Sequence, residues 1–341
     1  MRILKEKLSL IYSKKYLGGT FMKVLGISMG RKNERCDIYC KQVLMGVEAA
    51  AKASGKDIEV EFINTVTMDI GQCRGCGACS KAPDGKIKCI LKDDYLELEE
   101  KVLDADGIII AAPVYSVGIV GQLKNFLDRF GAAHDRASMI DEQNKRREDG
   151  RPLLDERYFK DRYCSYVAVG GAWTEDWTCL GLPMMHLFSC SQTMKVVGQI
   201  NANDQGRKTS PFLDQPMMDD MFAMGENLAN NLGVPYDETT WFGKEGTCPV
   251  CHLNLLMVNG TDTVTCPVCG IHGKITLADG KLKVNFPPEQ VKRARNTING
   301  VNEHHAEIGE MMRICIPILQ EKKEFLAEKK KEYMAYKPKW S

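Results

Sequence analysis

Short apolar runs alternate with stretches whose apolar residues recur at helical spacing over the first two-thirds of the chain. The run at residues 23–28 is almost wholly apolar, and the stretch at 37–54 has a helical pattern that Gly55 ends. The same patterns predict further strands at 58–64, 107–112, 163–170 and 194–200, and further helices at 93–104, 121–130 and 217–232. Asp93 is a candidate cap for the helix that follows it. Such alternation is typical of a parallel sheet covered on both faces.

We therefore expect an α/β fold in which residues 22–240 form a doubly wound sheet of five parallel strands. The pattern alone leaves the flavodoxin-like strand order 2-1-3-4-5 and a Rossmann order both open. A charged insertion at 131–162 interrupts this unit. Its role is left open among a lid, a subunit contact and a solvated excursion. Residues 1–21, which precede the first strand, are expected to form an extension outside the fold.

The rest of the chain has another character. Residues 243–286 contain short β-like pieces and turns around two pairs of cysteines, and we expect a small ribbon domain there. A helical tail is predicted at 287–341, in which Pro317 should kink or break the helix. The lysines of this tail are interleaved with glutamates, which is typical of a solvated helix face rather than of a nucleic-acid-binding segment.

Composition and charge narrow the function classes. With 46 basic and 45 acidic residues the formal net charge is +1, which gives no general attraction to nucleic acid or to an anionic membrane. No apolar run is long enough to span a bilayer, and residues 1–20 lack the features of a secretory signal. Eight of the 14 cysteines fall in two CxxC-type clusters, which in an intracellular protein indicates metal binding. We expect a cytoplasmic protein with no membrane and no nucleic-acid partner.

Three loops that follow predicted strands carry candidate ligand-binding residues. The loop after the first strand leads into a helix N-terminus with hydroxyl and cationic side chains nearby, which suits a phosphate monoester. Its candidates are Ser28, Arg31, Lys32, Asn33, Arg35 and Cys36. The loops after the third and fourth strands offer aromatic side chains and backbone amides at the same sheet edge, which suit a planar ring. Their candidates are Pro113, Val114, Tyr115, Ser116, Val117, Gly118, Gly170, Gly171 and Trp173.

The block PVYSVGIVGQLKNFLDR at 113–129, preceded by ADGIIIAA and by KCILKDD, resembles the flavodoxin-fold NADPH-dependent FMN reductase family. The resemblance covers residues 22–235 and favours the flavodoxin-like strand order. It implies non-covalently bound FMN, with the phosphate held by Ser28, Arg31 and the loop to Cys36, and the ring contacted by residues 113–118 and 170–171. Relatives usually carry Thr or Ser near the start of the first helix, whereas this chain has Asp37, whose carboxylate would repel a phosphate.

The first cysteine cluster consists of Cys73, Cys76 and Cys79 at two-residue gaps, and Cys89 after a gap of nine residues. Three closely spaced cysteines with a remote fourth commonly hold an iron–sulfur cluster. The cluster is similar to that of the iron–sulfur flavoprotein branch of the family, although its last gap is longer. A 4Fe–4S cluster and four empty thiols both remain open.

The second cluster has two CxxC knuckles that are separated by 14 residues, and its members are Cys248, Cys251, Cys266 and Cys269. Four thiolates at this spacing suit a structural Zn²⁺ ion, and a single iron of the rubredoxin type is the alternative. Zinc is favoured because His252-Leu253 stands where rubredoxins usually carry glycine and an aromatic residue. His252 and His272 are expected to pack beside the knuckles, because four thiolates already close the site.

The resemblance implies an enzyme that uses NADPH or NADH to reduce FMN and passes the electrons to a small organic acceptor. The acceptor classes are a quinone, a nitro compound, a flavin or an activated double bond. The alternative is an electron-transfer component that serves ferredoxin-like partners. The resemblance also implies a homodimer or homotetramer. The sequence identifies no catalytic residue, since lone histidines such as His134 and His186 are more often packing residues than acid–base groups.

Overall fold

The computed structural model describes residues 21–338, so the predicted extension at 1–21 lies outside the described residues except for Phe21. The main sheet has five parallel strands, which are β1 (Met22–Ser28), β2 (Ile58–Asn64), β3 (Gly107–Tyr115), β5 (Tyr163–Val169) and β6 (Lys195–Ala202). The short strand β4 (Gly118–Ile119) folds back antiparallel on the end of β3. The strand order β2-β1-β3-β5-β6 confirms the predicted flavodoxin-like order, with β4 shifting the numbers of the last two strands.

Helices cover both faces of this sheet, and they are α1 (Arg35–Ser54), α2 (Tyr95–Asp104), α3 (Gly121–Ala133), α4 (Arg136–Glu148), α5 (Gly181–Cys190) and α6 (Gln215–Asn231). One core lies between the sheet and α1 with α6, and the other lies between the sheet and α2, α3 and α5. Alternate residues of β3 serve the two cores, since Ile109 belongs to the first and Ile110 to the second. Helices α1 and α6 touch closely because a Cβ at Gly225 would lie 1.9 Å from the Val43 carbonyl oxygen.

Asp93, the predicted cap, lies one residue before the cap position of α2, which Asp94 takes. The carboxylate of Asp93 accepts a long hydrogen bond from the Tyr95 amide (3.4 Å), and shorter ones from the Arg129 guanidinium (2.9 Å) and the Gly71 amide (2.9 Å). Both charged side chains of this ion pair are buried. The pair therefore ties the loop that carries the first cysteine cluster to α3.

The insertion at 131–162 contains α4 and packs on the body of the molecule. The guanidinium of Arg146 is buried and donates to the carbonyl oxygens of Ala82 (2.6 Å) and Pro152 (2.8 Å). Arg157 donates to Glu100 (2.9 Å) and Asp104 (2.7 Å), both on or at the end of α2. The insertion thus lies over α2 and the first cysteine loop.

A second, antiparallel sheet follows, with strands β7 (Met257–Val258), β8 (Thr263–Thr265), β9 (His272–Ala278) and β10 (Lys281–Asn285) in the order β10-β9-β8-β7. The segment that leads into it runs beside the edge strand β6, where Phe242 pairs with Gly198 and its carbonyl accepts from the Gln199 amide at 3.0 Å. An exposed sheet edge invites pairing with other chains. This edge is covered by the chain itself.

The tail consists of α7 (Pro288–Lys292), α8 (Ile298–Glu321) and α9 (Lys323–Ala335). Pro317 lies inside α8, which continues to Glu321, so the helix is not broken at Pro317. Proline removes one backbone donor, and the carbonyl that loses this bond can be hydrated because the surrounding helix is exposed. Of the helices in residues 21–338, none is long and apolar enough to cross a membrane.

Candidate functional site

A cleft of about 230 Å³ opens at the carboxyl edge of the main sheet. The loops after β1, β3, β5 and β6 meet there, as they must when parallel strands end at one edge. Seven predicted residues line it: Arg31, Arg35, Cys36, Pro113, Tyr115, Gly170 and Gly171. The residues that complete the lining are Gly30, Glu34, Val169, Gln205 and Gly206.

Eight predicted residues are not part of the lining, and Ser28 is one of them. Its hydroxyl is fully buried and donates to the carboxylate of Asp37 at 2.5 Å. The same carboxylate accepts from the Asn33 amide (2.6 Å) and the Asn64 side chain (2.6 Å). Asp37 therefore fixes the loop after β1 by bonding to residues at the start and in the middle of that loop. Lys32, Asn33, Val114, Ser116, Val117, Gly118 and Trp173 also lie outside the lining.

Arg35 supplies the clearest anion-binding group of the cleft. Its Nη2 atom donates to the Lys208 carbonyl at 2.6 Å, which fixes the side chain across the start of α1. Its Nε atom is buried and has no hydrogen-bond partner among the described residues. A buried donor without a partner costs free energy, so this N–H is suited to an anionic ligand. The neighbouring Arg31 and the helix N-terminus add positive charge.

Cys36 lines the cleft between these arginines and the sheet. Its side chain is largely buried, and burial, together with the neighbouring Asp37 carboxylate, raises the pKa of the Cys36 thiol to about 12. The residue therefore remains a neutral thiol at physiological pH. It adds no negative charge to a site that would receive a phosphate.

The opposite half of the cleft has room for a flat group. The chain turns sharply after Tyr115, and Ser116 (φ 50°) and Val117 (φ 72°) take left-handed backbone conformations that are strained for such residues. At Gly171 an added Cβ would meet no atom within 4 Å, so this backbone faces open space. At Gly206 an added Cβ would lie 2.6 Å from the Gly171 carbonyl oxygen, so only glycine allows this approach of two loops.

The sequence analysis missed the loop after β6, which supplies Gln205 and Gly206. The Gln205 amide donates to the Gly170 carbonyl at 3.0 Å, and its side chain accepts from the Tyr39 hydroxyl at 2.6 Å. The rule that selected the other loops also applies here, because this loop follows a parallel strand of the same sheet. The residues themselves carry no distinctive motif.

Exposed aromatic side chains lie on three of the segments that contribute residues to the cleft. Tyr115 is 58% exposed, and Trp173 and Trp177 on the loop after β5 are each 62% exposed. Phe212, on the segment after Gly206, is 68% exposed. The guanidinium of Arg207 lies 4.8 Å from the centre of the Trp173 ring. We call these four aromatic residues the aromatic rim.

Neither of the two histidines considered as acid–base candidates lines the cleft. His186 is buried, with its Nε2 atom 2.6 Å from the Gln199 side-chain oxygen, and His134 is buried beside Glu99. Burial lowers the pKa of both imidazoles to about 4. Both residues therefore behave as packed, neutral groups.

The second cysteine cluster is assembled as predicted. The Sγ atoms of Cys248, Cys251, Cys266 and Cys269 lie within 4.8 Å of one another, and all four residues are buried. His252 lies outside this group because its ring stacks on Trp241 at 3.8 Å, with Nδ1 2.7 Å from Glu245. His272 instead contacts the Thr265 hydroxyl at 2.9 Å. The cluster is a four-cysteine metal site.

The first cysteine cluster has a different arrangement. Cys73 and Cys76 are exposed, whereas Cys79 and Cys89 are partly buried. Burial raises the pKa of the Cys79 thiol, and the other three cysteines raise it further. The four thiols do not approach one another closely enough to form a second group with all ligand atoms within 4.8 Å in the described part of the chain.

Comparisons with known proteins agree with this geometry. Residues 22–172 match the model of the family described as NADPH-dependent FMN reductase. The chain is similar to a flavone synthase from Aspergillus candidus, with 28% identity over 262 residues that make up 76% of this chain and 79% of that protein. It is 36% identical to an iron–sulfur flavoprotein from Methanosarcina thermophila over 109 residues, which make up 32% of this chain and 52% of that protein.

One solved structure is similar over nearly the whole chain. It is a flavone reductase, with a TM-score of 0.76 and 27% identity, and the match covers 93% of this chain and 99% of that chain. All the residues before the helical tail, 1–286, make up a smaller share of the 341-residue chain than the 93% that this match covers. The match therefore extends into the helical tail.

Proposed function

The chain belongs to the NADPH-dependent FMN reductase family, and from this premise we propose that it is an FMN-dependent oxidoreductase that uses NADPH or NADH to reduce a small planar acceptor. When bound, FMN supplies the hydride chemistry that links nucleotide and acceptor. The observation that carries the proposal is the cleft at the carboxyl edge of the sheet, whose lining includes Arg35 with a buried guanidinium N–H that has no partner among the described residues.

The residues of the cleft fit FMN at both of its ends. Arg31, Arg35 and the N-terminus of α1 would hold the phosphate through charge and N–H donors. Pro113, Tyr115, Gly170 and Gly171 would face the ring system, where the bare backbone of Gly171 leaves space for a flat group. Ser28 would act indirectly, by orienting Asp37 and through it the loop.

We further propose that the acceptor is a planar aromatic ketone with a conjugated carbon–carbon double bond. The aromatic rim supports this choice, because exposed rings beside a flavin cleft can stack on a flat substrate. Two relatives are named for reactions of flavones, which are ketones of this class. Reduction of such a double bond needs one hydride and one proton, and water can deliver the proton because the cleft is open.

An electron-transfer role is the second candidate. It is favoured by the four thiols of Cys73, Cys76, Cys79 and Cys89, which lie between β2 and α2 in the sequence, and by the similarity to iron–sulfur flavoproteins. In this case a 4Fe–4S cluster on that loop would exchange single electrons with a ferredoxin-like partner. The two functions differ in the electron donor, which is NADPH or NADH in the first and a ferredoxin-like protein in the second.

Anaerobic mixing of the FMN-loaded protein with NADPH, NADH or reduced ferredoxin tests the proposal. We expect a nucleotide to bleach the flavin, and flavone then to be reduced with one nucleotide oxidised per double bond lost. Trp173→Ala should raise KM for flavone about threefold to tenfold through lost stacking and leave flavin bleaching unchanged. The matched control is Tyr336→Ala, which removes an exposed aromatic at the end of the tail. Bleaching by ferredoxin alone would favour the electron-transfer role.

We propose that the four-cysteine site holds a structural Zn²⁺ ion. Four buried thiolates close the coordination shell and leave no position for a substrate. The neighbouring knuckle carbonyls of Cys251 and His252 accept hydrogen bonds from the Gln199 side chain at 3.1 and 3.2 Å. The metal would therefore also fix the ribbon to the edge strand β6.

A further inference from the structure

The last two helices leave the body of the molecule and expose a large apolar surface. Contact with the body ends near His305, whose ring lies 3.3 Å from Ser138 and 3.7 Å from Asp141 on α4. Beyond this point eleven large apolar side chains of α8 and α9 are between 41% and 71% exposed. They are Ile308, Met311, Met312, Ile314, Ile316, Ile318, Leu319, Phe325, Leu326, Tyr333 and Met334. We call residues 306–335 the arm.

The apolar residues surround the arm at its centre. In the stretch 311–319 every residue except Arg313 is apolar, and this stretch covers more than two helical turns. A surface helix normally has one apolar stripe, whereas a helix that is apolar all round is buried in an assembly. The arm has neither the length of uninterrupted apolar sequence nor the low charge of a membrane span. It therefore needs a protein partner that covers it.

We propose that the partner is a second copy of this chain, whose arm packs antiparallel against the first. An antiparallel pair of arms that cross at the apolar stretch brings the two stretches together. The flanks have complementary charge. Within the arm, Glu307 and Glu310 precede the stretch without any basic residue, whereas five lysines and four glutamates follow it within 321–332. The first flank is therefore net negative and the second carries a net charge of +1, so antiparallel pairing opposes unlike flanks.

The surface available is sufficient for a stable dimer. Eleven side chains on each copy, each about half exposed, would hide on the order of 1,000 Å² over the two copies, which is near the lower bound for a specific interface. Isologous pairing of one surface with itself is also the commonest arrangement in homo-oligomers. The solved flavone reductase matches this chain into the tail, so the arm is not peculiar to this sequence.

Light scattering on the full-length protein at micromolar concentration tests the pairing. We expect a mass of at least two chains of 38.2 kDa each. The double variant Met312→Glu, Leu319→Glu should halve that mass and leave flavin and metal content unchanged. The matched control is Leu277→Glu, Leu282→Glu, which places the same charges on exposed leucines of the ribbon hairpin and should leave the mass as it is. A monomeric wild type, or an arm variant of unchanged mass, would overturn the proposal.

Cys315 reports on the direction of pairing. It is exposed and lies at the middle of the apolar stretch, so two antiparallel arms bring the Cys315 residues of both copies close together. Mild oxidation should produce a disulfide-linked dimer that is absent from Cys315→Ser. A dimer that is not cross-linked through Cys315 would contradict the antiparallel arrangement. Binding of a monomeric chain to anionic vesicles through the arm would overturn the choice of partner.

Discussion

At the residue scale, Glu99 and His134 place two titratable groups side by side in the core beneath α2 and α3. The Tyr95 hydroxyl donates to the Glu99 carboxylate at 2.7 Å, and Nε2 of His134 lies 3.6 Å from the same oxygen. Burial raises the pKa of Glu99 from 4.5 to about 7 and lowers the pKa of His134 from 6.5 to about 4. Both groups are therefore neutral in the folded chain over a wide pH range.

These two shifts have opposite effects on stability. The raised pKa of Glu99 stabilises the fold fully below pH 4.5, and this contribution is lost as the pH rises to about 7. The lowered pKa of His134 stabilises the fold above pH 6.5, and this contribution is lost as the pH falls to about 4. The contributions cancel, so the pair makes the free energy of unfolding nearly independent of pH between 4.5 and 6.5.

Single substitutions should reveal how each group alone changes the free energy of unfolding with pH. In Glu99→Gln only His134 remains, so the free energy of unfolding should rise with pH across this window by about 3 kcal/mol relative to wild type. In His134→Asn it should fall by a similar amount. Urea unfolding at a series of pH values measures both slopes, and the constant cost of each substitution drops out. Two slopes of the same sign would contradict this account.

The sequence predicts residues of the cleft where strand order alone positions them, as it does for Arg35, Tyr115 and Gly171. It does not predict the role of Ser28, because the hydroxyl could donate either to a phosphate or to the Asp37 carboxylate. In the fold the Asp37 carboxylate takes it, with support from Asn64 on the neighbouring strand. That choice depends on contacts between residues far apart in the chain, which a single sequence does not display.

At the element scale, the ribbon and the edge strand β6 support each other. Gln199 of β6 bonds two carbonyls of the first cysteine knuckle, and Trp241 stacks on His252 of that knuckle. The ribbon itself has a small buried core made largely of the four cysteines with Val268, Ile271 and Phe286. A core of this size depends on the metal for stability.

Cys266→Ser should therefore unfold the ribbon and leave the main sheet folded. Zinc binding to such sites contributes about 10 kcal/mol to folding, so residues 243–286 should become sensitive to protease and the metal should be lost. FMN should stay bound, because the cleft contains no ribbon residue. Cys179→Ser is the matched control, since Cys179 is exposed and lies outside both cysteine clusters. Full retention of metal and protease resistance would show that the site is not structural.

Apolar periodicity predicts strands and helices to within a few residues, because burial of one face decides where an element lies. It is weaker at element ends. Asp93 has the chemistry of a helix cap, but a buried ion pair with Arg129 stabilises its carboxylate more than capping would. Pro317 has the chemistry of a helix breaker, but an exposed helix can hydrate the carbonyl that proline leaves without a partner.

At the scale of the whole molecule, four loops from distant parts of the sequence form one cleft, and eleven exposed apolar side chains lie along the arm. The sequence predicts the convergence of loops, since parallel strands end at one edge. It does not show that the tail is exposed, because an apolar helix pattern is the same whether the helix packs on its own chain or on another. The central claim is that the cleft binds FMN.

The most direct test is the flavin released by heat from the purified protein after incubation with excess FMN and FAD and removal of free flavin. We expect FMN at about one equivalent per chain, because the sequence offers one candidate phosphate-binding loop, after β1, and no dinucleotide fingerprint accompanies it. Arg35→Gln, which removes the partnerless buried donor, should reduce the FMN retained at least tenfold, whereas Arg147→Gln on the exposed surface of α4 should retain it fully. FAD as the released flavin, or equal FMN content in wild type and Arg35→Gln, would contradict the account.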